Sequence, residues 1–306
     1  MKQSRRTVMA IAAICIGVGI ILALTAMIII GFDFQKLNTI EPEQRTYDNL
    51  ESFASIEAEN AACDIILVPS ADGKRKVVCD EATSIMNQVT VENGTLKITE
   101  KDCRRWYERI AVIWFNKMSV TIYMPQGEYG SLNLKSVSGN IKIPEEFKFQ
   151  NTEILSTSGD VSLDAGISGD IYAKSVSGNV KIKNASANNI KAVTTSGDVY
   201  FSNVSAAELD ARSTSGNVKL ENVRVAGMTE AAVVSGDIRL VEADSGSYNL
   251  KSVSGNIKGT IISPKTFITK TTGGSIRVPK NVTGVGTFTA ATTSGDIKID
   301  LSYGNE

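Results

Sequence analysis

Ser177-Gly178-Asn179-Val180-Lys181-Ile182 is followed by Ser196-Gly197-Asp198-Val199-Tyr200-Phe201 and then by Ser215-Gly216-Asn217-Val218-Lys219-Leu220. The same core extends upstream as Ser138-Gly139-Asn140-Ile141 and Ser158-Gly159-Asp160-Val161. Downstream it recurs as Ser235-Gly236-Asp237-Ile238, Ser254-Gly255-Asn256-Ile257, a degenerate Gly273-Gly274-Ser275-Ile276, and Ser294-Gly295-Asp296-Ile297. The glycines stand 19 to 21 residues apart. A period of that length with no helical periodicity corresponds to one coil of a β-solenoid, in which each short strand stacks parallel on its counterpart in the next coil. After each corner an apolar residue, a variable one and usually another apolar one follow, as in Ile141-Lys142-Ile143 and Ile297-Lys298-Ile299. That alternation turns one side inward and leaves the other in water. Glycine permits close backbone approach at the corner, and Asn or Asp bonds neighbouring backbone groups there. An extra copy, Ser168-Gly169-Asp170-Ile171, falls out of phase and is expected at a second corner of the same coil.

The corner residue alternates strictly through Asn140, Asp160, Asn179, Asp198, Asn217, Asp237 and Asn256. Adjacent layers lie about 4.8 Å apart, so an all-Asp column would crowd like charges that alternation sets about 10 Å apart. The Asn coils also carry paired cations, Lys135 with Lys142, Lys174 with Lys181, Arg212 with Lys219 and Lys251 with Lys258. The expectation is that these cations interleave with and balance the carboxylates.

Working outward, the chain divides into a cytoplasmic start and transmembrane anchor (1–34), a stalk (35–52), a β-rich cap region (53–125) and the repeats (126–306). Residues 8–30 carry no charge and are long enough as a helix to cross a hydrocarbon core of about 30 Å. Lys2, Arg5 and Arg6 precede this run and Asp33 follows it, which places the N-terminus in the cytoplasm and the rest outside. A cleaved signal peptide fits the same pattern, but the run exceeds an ordinary signal's apolar core, which favours the anchor. The cap region shows short β runs, with Glu92-Asn93-Gly94 reading as a hairpin turn. It is interrupted by Cys103-Arg104-Arg105-Trp106-Tyr107-Glu108-Arg109, which reads as a binding loop, as an interfacial anchor, or as a place where Trp106 and Trp114 join the core while the arginines face water. Cys63 and Cys79 read either as a cross-strand bridge or as buried free thiols.

The outer part resembles a bacterial family of β-strand-repeat proteins of unknown function known as "putative adhesin". The likeness rests on Val91-Glu92-Asn93-Gly94-Thr95-Leu96, on Val120-Thr121-Ile122-Tyr123-Met124-Pro125 and on the Ser-Gly-Asn/Asp array. It implies an all-β parallel solenoid (β-helix) of about nine coils, and kinship with membrane-anchored proteins of Lia-type envelope-stress systems and with head GIN-like domains. It supplies no catalytic residues.

Composition narrows the function. The chain has 306 residues, 42% of them apolar, so it can bury a core; 32 basic and 33 acidic residues leave a net charge of -1 and no global case for nucleic acid. It contains no His, the commonest general base and transition-metal ligand. No cofactor or metal site is expected, and a non-enzymatic adhesin-like, envelope-binding or scaffold protein is the reading favoured. Two alternatives stay open: a polysaccharide-acting β-helix enzyme using the Asp column, and calcium binding along it. Lys142, Lys181, Lys219, Arg239, Lys258, Arg277 and Lys298 occupy one position of successive coils and form a candidate basic stripe. Such a stripe suits a cell-wall polymer or anionic headgroups, with an antimicrobial peptide or another envelope protein as other partners; lysines that merely guard strands against aggregation are the plainer account.

Overall fold

The computed structural model describes residues 2–29, 31–32, 43–81, 85–103, 118–280 and 284–302. An apolar helix, Lys2–Ile29, opens the chain, and its Ile11–Ile29 segment has a mean hydropathy of 2.7 with none of it buried. The described residues are mostly strand, wound as a parallel β-solenoid of about eight turns. The insertion at 104–117, with Trp106 and Trp114, lies outside the described residues.

Each coil has three faces. The first follows the Ser-Gly-Asn/Asp corner and runs through Ile141–Ile143, Val161–Leu163 and Val180–Lys183 into the starts of the long strands Val199–Ser215, Val218–Ser235 and Ile238–Ser254. The second precedes that corner, with Thr152, Ile171, Ile190, Leu209 and Thr229 in register. The third is narrower, where Ser186, Ser205, Arg224 and Asp244 align. Alternation holds through the inner coils: Ile141, Val161, Val180, Val199, Val218, Ile238 and Ile257 are all buried, as are Ile143, Leu163, Ile182, Phe201 and Leu220. Aromatic side chains fill both ends of the core. Tyr129 packs on Phe53, Phe147 and Phe149 at one end, and Phe288 sits between Tyr248 and Phe267 at the other, centroids 5.0 and 5.2 Å away.

The coils do not stack in the order in which the chain makes them. Ile257–Ile261 pairs with Ile297–Leu301, and only beyond that strand comes Ile276–Arg277. On the second face Thr287–Ser294 likewise slots between Ile238–Ser254 and Thr266–Gly273. The chain therefore lays down its outermost C-terminal coil first and tucks the final one inside. The N-terminal end repeats the device. Ser55–Asn60 lies between Thr95–Asp102 and Gly127–Ser136, and Cys63–Pro69 lies between Met118–Met124 and Ile141–Ile143.

Antiparallel strands finish the N-terminal end. Lys76–Glu81 joins Met118–Met124, and Glu43–Tyr47 joins Lys76–Glu81, so the chain enters the fold at Glu43, ahead of the change in sequence pattern at Phe53. Ile85–Glu92 forms a hairpin with Thr95–Asp102, its Asn93 and Gly94 both at positive φ (51 and 73°), as a two-residue turn between twisted strands requires. Cys63 and Cys79 are buried free thiols, and burial pushes both up to about 12.

Candidate functional site

The Asn/Asp corner is a continuous hydrogen-bonded column. Each side-chain Oδ1 accepts the backbone N–H of the corner residue one layer on, at 2.7–3.0 Å, in the order Asp64, Asn140, Asp160, Asn179, Asp198, Asn217, Asp237, Asn256, Asp296, Ser275. Each of Asn179, Asn217 and Asn256 also donates its side-chain N–H to the Asp carboxylate before it, at 3.1 Å. An Asp in the same position has no proton to donate, so alternation matches a donor-bearing side chain to every carboxylate. This adds a hydrogen-bonding cause to the charge spacing expected from sequence. Of the cations expected to balance the column, Lys258 alone among the described residues forms an ion pair with it, to Asp237 at 2.9 Å.

The glycine preceding each corner residue is set by close stacking. A Cβ on Gly159, Gly178, Gly197, Gly216, Gly236 or Gly255 would run into the carbonyl oxygen of the glycine one layer before; at Gly139 it would meet Cys63 O and at Gly295 Gly255 O. A buried hydroxyl three residues earlier completes the corner. Ser136 and Ser156 accept the N–H of Gly139 and Gly159 (2.9 Å), and Thr194 and Ser213 donate to the carbonyls of Gly178 and Gly197 (2.8 Å). At the second corner Asn151, Asp170 and Asn189 bond in the same manner, which is where the out-of-phase Ser168-Gly169-Asp170 lies.

The candidate basic residues lie in one outward row of the first face. The register is Lys142, Ser162, Lys181, Tyr200, Lys219, Arg239, Lys258, Lys298, Arg277. Two polar residues thus interrupt the near half, whereas Lys219, Arg239, Lys258, Lys298 and Arg277 occupy successive layers. Three of these are tied to acids: Lys219 to Glu221 (2.6 Å), Lys258 to Asp237, and Arg277 to Asp300 (3.3 Å). Lys219 also lies 5.0 Å from the centre of the Tyr200 ring, and the bonds from Lys219 and from the Tyr200 hydroxyl hold Glu221 below the usual carboxylate range. Lys142, Lys181, Arg239 and Lys298 are in no ion pair among the described residues. Between this row and the corner column runs a shallow depression of about 490 Å³, lined by Lys181, Asp198, Tyr200, Lys219, Asp237 and Arg239.

A larger depression, about 920 Å³, lies on the second face, with Glu153, Tyr172, Lys191, Asp210 and Glu230 along it. Arg212 ties Asp210 and Glu230 at 2.7 and 3.3 Å. Both carboxylates are partly exposed and held by Arg212. Among the described residues no group of three or more Cys, Asp and Glu side chains is arranged to hold a metal ion.

Sequence reasoning missed several members. Asp64 begins the column without any Ser-Gly before it, and Ser275 ends it. A third corner is a second side-chain ladder: Asn184 donates to Asp164 (2.7 Å), Asn203 to Asn184 (3.1 Å) and Asn222 to Asn203 (2.8 Å), each Asn at φ 50–56°. Its 19-residue spacing is present in the sequence, but no glycine marks it.

The model of the family described as Toastrack DUF4097 matches residues 53–300. No curated protein matches. Among solved structures, a "putative lipid binding protein" from Parabacteroides distasonis is similar over 85% of this chain and 97% of its own, at 15% identity and a TM-score of 0.53. A "putative adhesin" from Bacteroides fragilis covers the same shares at 21% identity and a TM-score of 0.47. At these identities the likeness concerns the fold.

Proposed function

The chain belongs to the Toastrack DUF4097 family, and from that membership we propose that it is a non-enzymatic, adhesin-like protein of the bacterial envelope. In this reading the N-terminal helix is an uncleaved single-pass anchor with its start in the cytoplasm, and the solenoid stands outside as a stiff rod. The helix's apolar length and the cations before it support that topology. Service in an envelope-stress system, implied by the Lia-type resemblance, belongs to the same reading.

The partner proposed is an anionic wall polymer, met by the outward row of the first face. One observation carries this: Lys219, Arg239, Lys258, Lys298 and Arg277 stand in consecutive layers of one row. A linear array of cations about 4.8 Å apart suits a linear polyanion, whose phosphates can engage several at once. Strand protection alone does not require cations in every layer, because interior strands already have partners on both sides.

The test is binding of the full-length protein, in neutral detergent, to cell wall that retains its teichoic acid and to wall stripped of it, across a salt series. The comparison is a variant with Lys142, Lys181, Lys219 and Lys258 all changed to Gln. Binding that weakens with salt, requires the polymer and drops about ten-fold or more in the variant is the expected result. Equal binding by the variant would remove the row from the mechanism.

A further inference from the structure

The two ends of the solenoid differ in chemistry. The described fold begins at Glu43–Tyr47, on the antiparallel cap, while the opposite end is closed by Thr266–Gly273 and Ile276–Arg277, each paired on one side only among the described residues. Residues 264–280 contain Lys265, Lys270, Arg277 and Lys280 and no Asp or Glu. The same coil exposes aliphatic side chains: Ile268 is 56% exposed, Ile276 44%, and Val285, in the following turn, 89%. Ile268 is the informative one. Its outward row reads Asp210, Glu230, Asn249, Thr289 in the layers before it, all polar, and turns apolar only in the final layer.

Exposed aliphatics beside cations are what a surface needs to sit at the boundary of an anionic bilayer; Lys270 and Lys280 are in no ion pair among the described residues, whereas Arg277 is shared with Asp300. We propose that this terminal coil is a lipid-contacting tip, in which Ile268, Ile276 and Val285 enter the headgroup layer while Lys270, Arg277 and Lys280 meet the phosphates. Two other occupants fit less well. A second copy docked edge to edge would bring the Lys270 and Lys280 ammonium groups of both copies together. A hydrophilic polymer would gain nothing from Ile268 or Val285. The tip stands independently of the wall-polymer reading, since Ile268, Lys270, Lys280 and Val285 lie outside the basic row. It uses that reading only for the side of the membrane on which the coil is found.

The experiment takes the full-length protein in phosphatidylcholine nanodiscs and measures its co-flotation with vesicles of phosphatidylcholine alone or of three parts phosphatidylcholine to one part phosphatidylglycerol. Binding only to the anionic vesicles, weakened by salt, is expected. Ile268→Thr with Val285→Ser should lower it about ten-fold, and Lys270→Gln with Lys280→Gln about five-fold per cation removed. The basic-row variant with Lys142, Lys181, Lys219 and Lys258 changed should bind vesicles more strongly than either tip variant, and the tip variants should keep wall binding. Melting curves like the parent's would establish that all are folded. Absence of flotation, flotation that neither tip variant reduces, or pairing of discs without vesicles, which would mark a second copy as the occupant, would each overturn the proposal.

Discussion

At the glycine of each corner no side chain fits, because the carbonyl of the layer before occupies the space a Cβ would take. Gly197→Ala should therefore destabilise the protein by about 1–3 kcal/mol, read from its urea unfolding midpoint, although the residue touches no ligand. The neighbouring column sets a different requirement. Asn179→Asp would put a carboxylate in the layer between Asp160 and Asp198, making three in succession, and would remove the N–H that Asn179 gives Asp160. A loss of about 1–3 kcal/mol at pH 7 is expected, shrinking as the added carboxyl is protonated in acid. The parent column behaves oppositely. Burial alone would raise the Asp237 carboxyl, but the Asn256 N–H and the Lys258 ammonium outweigh it and hold it below the usual range; the N–H and hydroxyl of Ser275 lower Asp296. A depressed folded pKa contributes stability above the unfolded value of about 3.9 and loses it as pH falls through the folded value. Urea midpoints of the parent should therefore be steady from neutral pH to about 5 and decline below about 4, while the gap to Asn179→Asp narrows.

At the scale of the coil, the unit that preserves the column is a pair. Removing residues 178–215 joins Ser177 to Gly216 and leaves Asp160 beside Asn217, so alternation survives. Removing only 178–196 sets Asp160 beside Asp198. The shorter protein should melt at the higher temperature, against the usual expectation that more coils mean more stability, and a calorimetric scan of the two deletions tests this. The same alternation was legible information about the stacking order. Glycine spacing suggests sequential coils, with Ser275 between Asn256 and Asp296; the spatial order Asn256, Asp296, Ser275 keeps Asn next to Asp instead. The cation row of the second face agrees, since Lys251, Ala291 and Lys270 are neighbours in that order. Glycine spacing alone does not reveal the exchange, because it orders the coils along the chain and not in space. The Asn184, Asn203 and Asn222 corner was missed because its turns use left-handed Asn in place of Gly.

For the whole molecule, the repeat was sufficient to specify a parallel solenoid, since a 19–21-residue period with inward Ile and Val admits few other ways to bury its apolar side. It was not sufficient to specify how the ends are closed. The antiparallel cap, the strand at Glu43–Tyr47 and the exposed Ile268 lie where the repeat degenerates, and there long-range pairing overrides local pattern. The basic row was largely legible: its members recur at one position of successive coils in the sequence, and the structure changes only their order, placing Lys298 between Lys258 and Arg277.

The tucked ends bear on how such a chain can change length over evolutionary time. A repeat appended after Leu301 would find its landing edge already covered by residues 266–277, and one placed before Ser55 would meet the edge taken by Thr95–Asp102. Growth by terminal addition is closed. New coils can enter only through the middle of the gene, and the column admits them in Asn–Asp couples, so relatives of different length should share both termini and differ by whole couples between them.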